Sequence, residues 1–206
     1  MCNPMSRPKK TEAEMQIRRD QILDTAYAIL QKDGPHALTS RAIADRMGVA
    51  HMSLYTYFKN QAAILSALSE REMAKLHARQ HAIEQRAETE DIVLVMLDAL
   101  KLFITFACEN PNLYRLALVI PEGGGENLEQ SRQRMQDTVW YLARLLKQGM
   151  EQGSFTTREP FLAAATVLGM INMPHILFHS GKLIDPELRD RMVVEVLSAA
   201  MGYLKD

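Results

Sequence analysis

In SRAIADRMGVAHMSLYTYFK, residues 40–59, Ala44 is followed four positions on by Gly48 and six further on by Leu54. Two short helices joined by a tight reversal account for that spacing. A small residue is needed where the helices cross, and Ala44 supplies it. The reversal needs positive φ, which glycine adopts at little cost, and Gly48 stands there. Leu54 anchors the second helix to a core, with Ile43, Met47 and Val49 around it. That leaves His51, Met52, Tyr55 and Thr56 on the free side. A helix held this way suits the major groove of DNA, which is wide enough to admit it. The alternative, a helical hairpin wholly inside a core, fits poorly with so polar a run as Tyr55 to Lys59.

Working outward, an amphipathic helix is expected over residues 14–31. Ile22, Leu23, Ala26, Ile29 and Leu30 lie on one face of it, and Gly34 and Pro35 stop it. Thr39 or Ser40 caps the next helix through its hydroxyl. Asn60 caps a longer one that carries Ile64, Leu65, Leu68 and Met73 toward residue 81. Residues 1–11 form a basic arm with Arg7, Lys9 and Lys10. Residues 1–81 hold 12 Lys and Arg against 8 Asp and Glu, whereas residues 82–206 hold 12 against 17. A basic front and an acidic rear place the contact with a polyanion at the front.

The run GVAHMSLYTYFKNQAAIL, preceded by LTSRAIADRM and a single amphipathic helix, resembles the tetracycline-repressor-like (TetR) transcriptional regulators over residues 14–72. The resemblance implies that the second short helix enters the major groove. His51, Met52 and Ser53 would then lie nearest base edges. Tyr55, Tyr57 and Lys59 would reach phosphates, and Thr39 and Arg41 would meet phosphate from the start of the preceding helix. Two residues depart from the family pattern. Ala50 stands where a capping serine is common, which weakens the helix by about 0.5 to 2 kcal/mol unless packing compensates. Met52 stands where a small residue is common and suits contact with a thymine methyl.

The rest of the chain reads as five helices, with no alternating β-branched run to suggest strands. The first, residues 89–109, carries Ile92, Val95, Met96, Ala99, Leu102, Phe103 and Phe106 inward. A short helix follows Pro111. The stretch VIPEGGGENL lacks the Lys-Ser/Thr of a phosphate loop and reads as a connection. The helix over residues 127–152 buries Leu128, Met135, Val139, Leu142, Leu146 and Met150, with Trp140 at the edge of that stripe. The run from Phe161 to Phe178 is apolar enough to raise a membrane span, but Asn172, Pro174 and His175 interrupt it, so a buried helix is expected. The last helix presents Val193, Val196, Leu197, Ala200 and Leu204 as one apolar face. The resemblance implies that the two final helices pair with those of a second subunit.

Pro174 removes a helical N–H, and a kink there opens space inside a bundle. Spacing lines that space with Met96, Phe103, Tyr114, Trp140, Met170 and His175. No lysine or arginine falls on those stripes, so a neutral or weakly charged ligand is expected. His77 and His81, and His175 and His179, have the i, i+4 spacing of zinc ligands but lack an accompanying glutamate base. Cys2 and Cys108 have no ligand spacing, and no apolar stretch follows the basic N-terminus.

The expectation is an all-α, cytoplasmic protein with no cofactor and no metal. It has an arm (1–11), a helix-turn-helix three-helix DNA-binding domain (12–60), a connecting helix (61–81) and a ligand-binding and dimerisation domain (82–206). Its function is that of a homodimeric repressor binding palindromic double-stranded operator DNA and released by a small apolar or aromatic effector, with no enzymatic activity and no membrane partner. Two other readings stay open: a regulator controlled by a protein partner without a small molecule, and a metal-dependent enzyme built on an HxxxH pair.

Overall fold

A computed structural model describes residues 11–116 and 125–206. The basic residues Arg7, Lys9 and Lys10 and most of the VIPEGGGENL connection lie outside them. Every regular element among the described residues is helical. They divide into two units, one ending at Ser69 and the other starting at Glu70.

The first unit begins with α1 (Glu12–Asp33). Thr11 opens it with a reciprocal pair of bonds: the Glu14 N–H donates to Thr11 Oγ1 at 3.2 Å, and the Thr11 N–H donates to Glu14 Oε2 at 2.8 Å. Two of the orphan donors of the first turn are thereby satisfied, which extends the helix beyond the expected start. Gly34, at φ 81°, closes it. After a single 3-10 turn, Pro35–Ala37, comes α2 (Ser40–Met47). Thr39 is its cap, accepting from the Ala42 N–H at 3.1 Å. Ser40, the other candidate cap, lies just inside the helix and is buried.

Gly48 has φ 65° and ψ 34°, the left-handed conformation expected of it. Beyond it, His51–Thr56 winds as a 3-10 helix. Ile22, Ala26 and Leu30 from α1, Ile43 and Ala44 from α2, and Leu54 all fall within 1% of complete burial. The long helix α3 (Gln61–Arg86) starts in this unit, its Ala63 N–H donating to Asn60 Oδ1 at 2.8 Å, and the unit boundary falls within it.

The second unit packs α4 (Ile92–Glu109), the single turn α5 (Pro111–Tyr114), α6 (Gly125–Glu151), α7 (Pro160–His179) and α8 (Pro186–Lys205). Acidic side chains start three of them. Asp91 accepts from the Val93 N–H, Glu159 from those of Phe161 and Leu162, and Asp185 from those of Glu187 and Leu188. A carboxylate there also meets the positive end of the helix dipole. Pro160 and Pro186 follow two of these caps, where a missing N–H costs nothing.

The core joins Val95, Met96, Ala99 and Phe103 of α4 to Val139, Leu142 and Leu146 of α6, Ala163, Ala164, Val167 and Ile171 of α7, and Ala200 and Leu204 of α8. α7 has the length and composition of a membrane span, yet one side of it is buried in this core. Its helix runs without a break through Pro174.

The face expected to be open on α8 is corrected here. Ala200 and Leu204 are completely buried, and Leu197 packs on the same core. Spacing finds an apolar row but not which neighbour covers it. The outward side of α8 instead carries Leu188 and Val194. On α7, Leu162, Gly169, Met173 and Ile176 are exposed and share one stripe at helical spacing.

Candidate functional site

The first candidate site is the 3-10 helix and the residues that seat it. With Leu54 turned into the core, Met52 on the opposite side is 70% exposed. Thr39, Arg41, Thr56 and Lys59 are exposed, and Ser53 is half-buried. Apart from Met52, these positions are polar or basic. Tyr57 differs from the others: its ring is buried beside that of Phe58, over which Arg19 lies at 4.6 Å from the ring centroid.

Ala50 is extended, at ψ 133°, and offers the 3-10 helix no side-chain cap. Ser53 compensates in part by binding the Ala50 carbonyl through both its N–H (2.8 Å) and its hydroxyl (2.6 Å).

His51 is held more firmly than its place on the free side suggests. Its Nε2 lies 2.9 Å from Ser40 Oγ, and the Tyr55 hydroxyl lies 3.2 Å from the same oxygen. The rings of His51 and Tyr55 meet edge to face at 5.2 Å. Gln61 completes the link, its Nε2 donating to the Leu38 carbonyl at 3.1 Å while its Oε1 accepts from the Ser40 N–H at 3.4 Å. Three helices are thus tied at one point. Ser40 and Gln61 carry no sequence signal for this, because their partners are 11 to 23 residues away.

The second candidate site lies in the other unit. Of the six residues grouped by spacing, Tyr114 and His175 meet, with ring centroids 6.0 Å apart. Met96 and Phe103 are buried in the α4 core and Met170 packs against it. Trp140 does not join them: it is 52% exposed and lies against Phe161, ring centroids 4.9 Å apart. Its neighbour Tyr141 turns inward instead, edge-on to Phe103 at 6.3 Å, because the buried arc of α6 is wider than the expected stripe.

Two residues missing from that group complete the cluster. The Tyr114 hydroxyl donates to Asn172 Oδ1 at 3.0 Å, and His179 stacks on His175 with centroids 6.2 Å apart while its Nε2 donates to the Ala107 carbonyl at 3.2 Å. Burial pushes the His175 imidazole down to about 4, aided by His179 and Arg189, so it is neutral at pH 7. Burial lowers His179 as well, against the bond to Ala107. The charge expectation is also corrected: Arg189 faces both histidines and Arg115 faces His179. Among the described residues no three of His, Cys, Asp and Glu converge as a metal site.

Comparison with known proteins covers both units. The family described as "Bacterial regulatory proteins, tetR family" matches residues 22–68, and "Tetracyclin repressor-like, C-terminal domain" matches residues 89–194. The tetracycline repressor protein class C of Escherichia coli is 41% identical over 54 residues, 26% of this chain and 25% of that protein. The chain therefore matches about a quarter of the length of that curated relative. Two solved structures share the fold. One is the transcriptional regulator FadR from Bacillus subtilis in complex with stearoyl-CoA, with TM-score 0.70, 19% identity, and coverage of 90% of this chain and 98% of that one. The other is a regulator from Saccharomonospora viridis in complex with choline, with TM-score 0.71, 16% identity, and coverage of 93% and 99%.

Proposed function

The chain belongs to the TetR family of DNA-binding transcriptional regulators, and we propose that it is a homodimeric repressor released from a near-palindromic operator by a small, largely apolar or aromatic effector. Residues 12–60 read the DNA, with the arm before them, and the C-terminal unit takes the effector in the cytoplasm. No residue is assigned a catalytic role.

The observation that carries this reading is the seating of the 3-10 helix. Leu54 is 1% exposed and Met52 is 70% exposed on opposite sides of one short element, which follows a left-handed Gly48. An element anchored by one side and bare on the other is built to be read from outside. In this role Met52 and Ser53 approach base edges, as does His51 from its tethered position. Thr39, Arg41, Tyr55 and Lys59 meet phosphates; Tyr57, with its ring buried, is not among them. Effector control is supported by the two solved relatives of this fold that carry ligands as different as stearoyl-CoA and choline.

Binding to random-sequence duplexes followed by selection tests the DNA reading. An enriched palindromic site, bound with strong salt dependence, is expected, since phosphate contacts release counterions. Recovery of no enriched site overturns it. The effector reading is tested by calorimetric titration with and without operator. A coupling of about 1 to 3 kcal/mol lowers operator affinity roughly 5- to 150-fold, and operator must weaken effector binding by the same factor. Equal affinities in the two titrations overturn effector control.

A further inference from the structure

His175 is 1% exposed, yet neither of its ring nitrogens has a hydrogen-bond partner. A neutral imidazole carries one N–H and one lone pair, and both are bonded in water. Buried polar groups without partners are uncommon in folded proteins, and each one calls for a reason.

The neighbours do not supply partners, because their polar atoms are engaged elsewhere. The Tyr114 hydroxyl donates to Asn172 Oδ1 (3.0 Å), the Asn172 amide donates to the Leu168 carbonyl (2.8 Å), and His179 Nε2 donates to the Ala107 carbonyl (3.2 Å). Each of those bonds fixes a group around His175 and leaves the imidazole as the one with both nitrogens unmet. Next to it, Pro174 has no N–H, so the Met170 carbonyl lacks its helical partner.

We propose that His175 is the polar anchor of the effector site, and that the effector is an apolar molecule carrying a hydrogen-bonding oxygen, as in a phenol or carboxylate, rather than an alkylammonium cation. This rests on the reading that the C-terminal unit binds an effector. The rings of Tyr114 and His179, with centroids 6.0 and 6.2 Å from that of His175, supply aromatic walls. The charges set the sign. His179, Arg189 and Asp190 face His175, and Arg189 and Asp190 pair with each other at 2.6 Å. Arg115 faces His179, and its buried Nε has no partner. Among the described residues no carboxylate pairs with Arg115, and its charge beside the cluster favours an oxygen acceptor and repels an ammonium group. Because burial holds the imidazole at about 4, it stays neutral at pH 7 and offers one donor and one acceptor.

The test uses the full chain without DNA and four probes: 4-ethylphenol, 4-ethylbenzoic acid at pH 7, ethylbenzene and benzyltrimethylammonium. At least one of the two oxygen-bearing probes should bind at least tenfold tighter than ethylbenzene and should shift the ring nitrogen resonances of His175, and the ammonium should not bind. His175→Phe keeps a ring of similar size and should abolish that tenfold advantage while leaving ethylbenzene affinity unchanged. His175→Gln, which restores a donor and an acceptor, should recover part of it. If the variants do not fold, the nitrogen resonances of the wild-type chain still decide.

Equal affinities for all four probes, no binding of either oxygen probe, or an unaltered affinity for the tighter oxygen probe in a folded His175→Phe chain overturns the anchor. A probe that binds through His175 but leaves operator affinity unchanged would sink the regulatory reading alone. An effector that releases operator equally well from His175→Phe would sink the anchor alone.

Discussion

At Gly48 a Cβ would meet nothing within 4 Å, so the glycine is required by its φ of 65° and not by lack of space. Gly48→Ala should therefore cost about 1 to 2 kcal/mol, the penalty of an ordinary residue in the left-handed region, measured as a lowered urea midpoint with unchanged slope. This residue was readable from the chain because its reason is local. His175 is the opposite case. Its spacing suggests a pocket, but its lack of partners follows from what Asn172, Ala107 and Leu168 do with their own polar atoms. Its folded-state value of about 4 lies below the ordinary 6.5, so the folded protein resists protonation where the unfolded chain accepts it. Stability from this group is complete above pH 6.5 and is lost as pH falls toward 4, by on the order of 3 kcal/mol. His179, also lowered, works in the same direction. His175→Phe should flatten that acid slope and raise stability at pH 7 by about 1 to 3 kcal/mol, since an unbonded buried polar group is removed. Urea titrations at pH 7.5 and 5 check this; parallel losses in the two proteins would contradict it.

At the scale of the element, the amphipathic period and the caps made the helices legible, and Thr39, Asn60 and Gly34 act where their chemistry predicts. The 3-10 winding of His51–Thr56 was not legible. An uncapped Ala50 leaves the first turn without a side-chain acceptor, and Ser53 holds the Ala50 carbonyl with i+3 bonds that favour the tighter helix. Ala50→Ser should supply the missing cap and stabilise the protein by about 0.5 to 2 kcal/mol, read from thermal unfolding. No gain would mean that the 3-10 geometry keeps a serine hydroxyl away from the free N–H groups. α6 shows a second limit of the pattern. A Cβ at Gly149 would collide with the Phe155 ring, so the helix needs glycine at a position that helical propensity fills with alanine. Gly149→Ala should lower stability by about 1 to 3 kcal/mol through overpacking, more than any gain in propensity returns.

At the scale of the whole molecule, the proposed homodimer needs a surface that joins two copies. The apolar row of Val193, Val196, Leu197, Ala200 and Leu204 is an unsuitable candidate, since Ala200 and Leu204 are fully buried in the chain's own core and Leu197 packs against it. The sequence could not separate these cases, because burial within a chain and burial between chains use the same residue types. The structure leaves Leu162 64% exposed, Met173 51% and Ile176 37% on one stripe of α7, and Val194 67% exposed on α8. Gly169 is exposed on the α7 stripe and Ala199 on α8, and small residues let two helices approach closely. The proposed two-fold operator needs a self-complementary surface, and we assign it to these two helices. Leu162→Glu with Val194→Glu should therefore give folded monomers by light scattering, with unchanged helical content and strongly weakened operator binding. Leu204→Glu should behave differently and unfold the C-terminal unit, because it places an unpaired charge in a fully buried site. A Leu162→Glu, Val194→Glu protein that stays dimeric and binds operator normally would move the interface off α7 and α8.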